Sequence, residues 1–356
     1  MPGPQPGPAT PGSLVIGGYT ADTGGSGTGL TRVRVGAAGR LRAVAETAVS
    51  GPSFVTAHPR LPLLYAVLER PDGGVAVFAD APHDGADDGA DDGDDGAVAG
   101  AGPRLLAEHS SGGSYPCHLA VDPGGTWLAV ANYGDGTLAA FRLGEDGLPE
   151  PDPLLFRNEG HGPNARRQEG PHAHQAVFGP DGVLYVTDLG TDEVRRFLPG
   201  MTPHPDGPVR LAPGTGPRHL VRHPVTGHWY VAGELDGTVA VYDDEWRELG
   251  RVPASAVDGP NQPSHIDVSA DGRHVYVGNR GPDTVTAFAV DGEGLTPVAE
   301  VPGGGRWPRH FAVAGDRIYV ANERSDRVAV LTLKDGVPEP STEGVDVGSP
   351  SCVLIR

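Results

Sequence analysis

The chain has 356 residues, 55 of them Gly and 36 Pro, with 38% hydrophobic residues and a formal net charge of −19. Gly or Pro interrupts nearly every window long enough for a long helix, and the recurrent Val-rich runs exclude general disorder. The acidic balance, 46 Asp and Glu against 27 Lys and Arg, repels phosphate backbones and excludes a nucleic-acid partner, while no apolar stretch approaches the roughly 20 residues of a membrane helix.

In chain order, MPGPQPGPATPGS carries neither a basic nor an apolar region of a signal peptide and reads as a flexible tail over 1–13. SLVIGGY (13–19) and GLTRVRV (29–35) read as two strands. From Pro52 onward one phrase recurs: PSFVTAHP at Pro52, PCHLAVDP at Pro116, AHQAVFGP at Ala173, PRHLVRHP at Pro217, PSHIDVSA at Pro263, PRHFAVAG at Pro308 and PSCVLIR at Pro350. A second phrase follows six times: LYAVLE (64–69), WLAVAN (127–132), LYVTDL (184–189), WYVAGE (229–234), VYVGNR (275–280) and IYVANE (318–323). A third follows each of these: GGVAVF (73–78), GTLAAF (136–141), DEVRRF (192–197), GTVAVY (237–242), DTVTAF (283–288) and DRVAVL (326–331). The second phrase is nearly all apolar, as a strand buried on both faces should be, and the third alternates. A weaker run such as LTPVAEV (295–301) closes each unit.

Each unit is a four-stranded antiparallel sheet with a period of about 45 residues, the period of a propeller blade. The first two strands match the second and third phrases with no first phrase before them, and PSCVLIR is a first phrase with nothing after it. The two ends therefore complete one blade, its innermost strand coming from the C-terminus. The expectation is all-β: a single seven-bladed propeller over 14–356. The Gly/Asp run over 82–100 reads as a solvated, disordered loop, since it lacks both an EF-hand pattern and a calcium nonapeptide. Cys117 and Cys352 are too few for a disulfide framework, which agrees with a cytoplasmic home. A closed ring has no exposed central edge, and a monomer is expected.

In a propeller, equivalent positions on the innermost strands converge on one axis. Just inside the first phrase they are Ser53, Cys117, His174, Arg218, Ser264, Arg309 and Ser351; one further on, Phe54, His118, Gln175, His219, His265, His310 and Cys352. The last residue of the second phrase gives Tyr19, Glu69, Asn132, Leu189, Glu234, Arg280 and Glu323. Charges near an axis are kept when paired or used. The recurring histidines His118, His219, His265 and His310 point to hydrogen bonds between neighbouring blades. The non-recurring His174, Arg218, Glu234, Arg280 and Arg309 are the functional candidates. Guanidiniums hold anions through forked hydrogen bonds and stabilise an oxyanion, and His174 or Glu234 can take a proton. Asn132, Glu69 and Glu323 are further candidate substrate contacts on the same ring. No nucleophile elbow is present, no base identifies itself for Cys117, and no metal ligand set is complete, so neither cofactor nor metal is expected.

The phrases PRHL, PHAH, YVAGEL, YVGNR and WPRHF resemble the seven-bladed lactonase propellers, a group that includes bacterial 6-phosphogluconolactonases of the propeller type and fungal carboxymuconate-lactonizing enzymes. The resemblance covers 14–356. It implies an active site at the channel mouth built from His174, Arg218, Glu234 and Arg280, with Arg309 assisting at a phosphate. It implies hydrolysis of a small anionic lactone, 6-phospho-glucono-1,5-lactone, to 6-phosphogluconate in the pentose phosphate pathway. Lactonizing chemistry on a dicarboxylate and a non-enzymatic scaffold are the alternatives.

Overall fold

The computed structural model describes residues 11–36, 39–80 and 102–356. Most of the expected tail, residues 1–10, and the 82–100 acidic segment lie outside the described residues.

Seven antiparallel sheets follow one another around an axis, six of four strands and one of five. Blade 1 is the composite: Pro350–Ile355 is its inner strand, followed by Ser13–Gly18, Gly29–Val35 and Leu41–Ala48. Leu14 pairs with Ile355, Val15 with Leu354 and Ile16 with Val353, so the two ends of the chain close the ring as expected. Blades 2 to 7 begin at inner strands Val55–Ala57, Pro116–Val121, Ala173–Phe178, Pro217–Arg222, Gln262–Val268 and Pro308–Ala314. Blade 4 has five strands because its outer position is shared by two short pieces, Thr202–Pro203 and Val209–Arg210, both paired with Glu193–Leu198.

The core lies between blades. Every residue of Leu63–Leu68, the second strand of blade 2, is buried. Tyr65 and Val67 pack with Leu119, Val130 and Phe141 of blade 3, and the same apolar sandwich repeats around the ring. Burial of such side chains contributes about 1.5–3 kcal/mol each, which is why the doubly buried strand reads as a continuous apolar run.

One irregularity repeats and positions the site. Inner-strand pairing slips between Pro116 and His118, Ala173 and Gln175, Pro217 and His219, and Pro308 and His310. Cys117, His174, Arg218 and Arg309 are the skipped residues. A bulge of this kind bends the strand and re-aims side chains. Consecutive residues, which a regular strand would send to opposite faces, therefore both reach the axis: Arg218 with His219, and Arg309 with His310, line one small cavity.

Candidate active site

Glu234 follows the second strand of blade 5, Trp229–Gly233, and its side chain is only 3% exposed. Three guanidiniums surround it. Arg280 Nη2 lies 2.6 Å from Oε2 and Arg167 Nη2 lies 2.5 Å from Oε1. Arg218 Nε lies 3.3 Å from Oε2 but without the alignment of a hydrogen bond. Arg280 also donates from Nε to the Gln262 carbonyl at 3.1 Å, and Arg218 from Nη1 to the Ser264 carbonyl at 2.7 Å. Burial pushes the Glu234 carboxyl up, but Arg280, Arg218 and Arg167 outweigh it and hold it well below the usual carboxylate range. Burial, together with the charges of Arg280 and Arg309, brings Arg218 down to about 9.

His174 stands on the neighbouring bulge of blade 4. Burial first, then the positive charges of Arg218, Arg309 and Arg280, push its pKa well below the ordinary imidazole value, so it is neutral near pH 7. Its Nδ1 is 3.8 Å from the Cys117 thiol. Burial raises the Cys117 pKa, which leaves a thiol rather than a thiolate.

A second cluster occupies the opposite side of the mouth. Arg309 Nη1 lies 3.4 Å from Glu323 Oε2, and the guanidinium sits over the Tyr19 ring at 5.0 Å. Tyr19 donates to Glu69 at 2.9 Å, and the Ser53 hydroxyl donates to the same carboxylate. Between the clusters the axial cavity has a volume of about 10 Å³, room for one water.

Beneath it the channel is filled by rings. His265 and His310 stack at 4.0 Å, Phe54 lies 4.0 Å from His118, and His219 Nδ1 is 2.8 Å from His265 Nδ1. His118 Nδ1 accepts the Ala176 N–H of the next blade at 3.4 Å, and His310 Nδ1 accepts that of Val353 at 3.3 Å. Gln175 does the same for Leu220 at 2.7 Å. These are the blade-to-blade hydrogen bonds expected of the recurring ring.

The structure thus brings His174, Arg218, Glu234 and Arg280 to one side of the mouth and Arg309, Glu323 and Glu69 to the other. It does not bring Asn132 there. Asn132 pairs across from Pro116 just as Asn322 pairs across from Pro308, so it is the counterpart of Asn322 and not of Glu323. Its fully buried amide accepts the Ser111 hydroxyl at 2.7 Å and donates to the Ser111 carbonyl. The mouth position belongs to Tyr133, whose ring stacks on His172 at 4.5 Å and meets His174 edge-on at 5.5 Å. Arg167, whose side chain also donates to the Tyr133 hydroxyl at 3.2 Å, is the member of the Glu234 cluster that repeat reasoning missed. Its only signal was the stretched spacing between the second and third repeats. Among the described residues, no group of three His, Cys, Asp or Glu is placed to hold a metal, and no helix is long and apolar enough to cross a membrane.

Residues 13–355 match the family described as lactonase, 7-bladed β-propeller. The chain belongs to that family. It is 33% identical over 330 residues to a 6-phosphogluconolactonase of Bacillus subtilis, covering 86% of this chain and 87% of the relative. A solved structure of a putative 6-phosphogluconolactonase from Bacteroides fragilis superposes with a TM-score of 0.83 at 26% identity, covering 97% of each chain. The periplasmic gluconolactonase of Pseudomonas aeruginosa superposes with a TM-score of 0.85 at 27% identity, covering 97% of this chain and 99% of its own. Lactonase relatives imply a small lactone as the substrate of this propeller too.

Proposed function

We propose that this lactonase opens 6-phospho-glucono-1,5-lactone to 6-phosphogluconate at the Glu234 side of the mouth, as a monomer in the cytoplasm. The observation that carries the reading is one buried carboxylate held by three guanidiniums. That cluster is positive in a chain of net charge −19, which suits an anionic lactone and a developing oxyanion. All of these side chains come from one chain, so one copy suffices.

Ester hydrolysis needs a base for water and a donor set for the oxyanion. Both Glu234 oxygens are already occupied by guanidiniums, which leaves neither of them free to take a proton from water. His174 is neutral, and its Nδ1 faces the Cys117 thiol rather than a charged group. His174 therefore takes the proton as water attacks C1, and Arg218 and Arg280 stabilise the oxyanion. Collapse breaks the bond between C1 and the ring oxygen, and the imidazolium returns its proton to that oxygen. Glu234 is the positioning residue that holds the two arginines. Removal of a base of this kind lowers kcat by roughly 10²–10⁴-fold. The test is hydrolysis of freshly made lactone, corrected for spontaneous opening, by His174→Ala and Glu234→Ala variants. If both folded variants turn over at the wild-type rate, the assignment is wrong.

A further inference from the structure

The axial cavity has room for no more than a single water, so a sugar lactone has to lie elsewhere. A cleft of about 480 Å³ opens beside it, walled by Asn164 and Arg167 on one side, Asn261 and Gln262 on the other, and Glu234. Its acid Asp236 is neutralised by Arg251 at 2.5 Å. The Asn261 amide nitrogen donates to Asn279 Oδ1 at 2.9 Å, and Asn279 in turn donates to the Thr284 and Thr286 hydroxyls, which fixes both orientations. Asn261 Oδ1 is then left as an acceptor without a donor. That oxygen is buried, and what the cleft walls offer a ligand is the uncharged residues Asn164, Asn261 and Gln262.

Charge decides where a phosphate goes. Three guanidiniums around one carboxylate leave two positive charges uncompensated, and a phosphate monoester carries about −1.5 to −2 at pH 7. Of the three, only Arg167 reaches the cleft: its side chain is 35% exposed, against 4% for Arg218 and 5% for Arg280. Across the mouth, Arg309 is flanked by both Glu323 and Glu69, whose charges leave that wall no anion capacity.

We infer that the cleft is the sugar-phosphate subsite, with the phosphate on Arg167 and ring hydroxyls against Asn261 and Gln262, so that Arg167 separates phosphorylated from unphosphorylated lactones. The inference rests on the lactonase reading above. A second basic spot lies on the far side of Arg280: the exposed Arg306 and Arg324 flank Trp307, with Arg324 over its ring at 3.4 Å, and neither has a carboxylate partner among the described residues. It is the internal control.

The experiment measures calorimetric binding of 6-phosphogluconate and of gluconate, and kcat/KM on both lactones. The proteins are wild type, Arg167→Gln, Arg167→Lys and the double variant Arg306→Ala/Arg324→Ala. Arg167→Gln is expected to weaken 6-phosphogluconate by roughly 20-fold or more, the loss of a charge-assisted contact. Gluconate should change far less, and Lys should restore part of the preference. Equal losses for both ligands would make Arg167 a holder of Glu234 only and overturn the inference. So would a preference that collapses in the double variant instead, or one that Arg167→Gln leaves intact. Wild type that opens neither lactone and binds neither product would sink the lactonase reading as well.

Discussion

Glu234→Gln keeps the shape of the side chain and removes its charge. The carboxylate is 3% exposed and touches guanidiniums at 2.5, 2.6 and 3.3 Å. Arg167, a third exposed, can turn to water once released. Arg218 and Arg280 cannot, and they are left facing an amide and each other. Breaking a buried ion pair by removing one partner costs about 3–5 kcal/mol, and that is the expected loss at pH 7 in chloride. The same vacancy is an anion site. Phosphate at 100 times its dissociation constant should return about 2.7 kcal/mol, more than half the loss. Urea unfolding in chloride and in phosphate of equal ionic strength measures both numbers, with the m-value as a check that the unfolded state is unchanged. A loss below about 1 kcal/mol would refute the claim that Glu234 compensates buried charge. A variant that phosphate does not stabilise at all would refute the claim that the cluster is a positive site awaiting an anion.

The ring-filled channel predicts acid lability. Burial lowers the pKa of His118, His219 and His265, and brings His310 down to about 3. Folded values below the unfolded value mean that stability is intact above about pH 6.5 and falls as pH drops, by up to about 1.4 kcal/mol per pH unit for each such histidine. For His310 the fall continues to about pH 3. Urea unfolding at pH 7.5, 6 and 5 should show it, His310→Phe should flatten the slope, and a pH-independent stability would rule it out. Asn132 separates structure from chemistry. Asn132→Ala strands the Ser111 groups and should cost about 1–3 kcal/mol, with kcat and KM unchanged; a kinetic defect in a fully stable variant would return Asn132 to the mouth.

What was legible in the sequence follows from symmetry. Periodicity fixes blade number, and a missing first phrase at one end matched by an orphan at the other fixes closure: Leu14 pairs with Val33 on its outer side and meets Ile355 on its inner side. The convergence of His174, Arg218, Glu234 and Arg280 was legible for the same reason: equal positions in a closed repeat share an axis. Symmetry also sets the limit. Asn132 and Tyr133 differ by one place, and a phrase aligned by its end cannot tell them apart, whereas pairing to Pro116 can. The bulges that turn Arg218 and His219 to the same axis are a backbone irregularity with no residue signature of their own. Arg167 lies in an insertion with no counterpart in other blades, so no register exists to place it. The off-axis cleft arises from that loop and the 255–262 loop, both departures from the repeat. Seven equivalent blades would converge on seven equivalent groups and a symmetric mouth, which has no direction in which to hold an asymmetric sugar. The residues that break the repeat are the ones able to hold a lactone carbonyl at one end and its phosphate at the other.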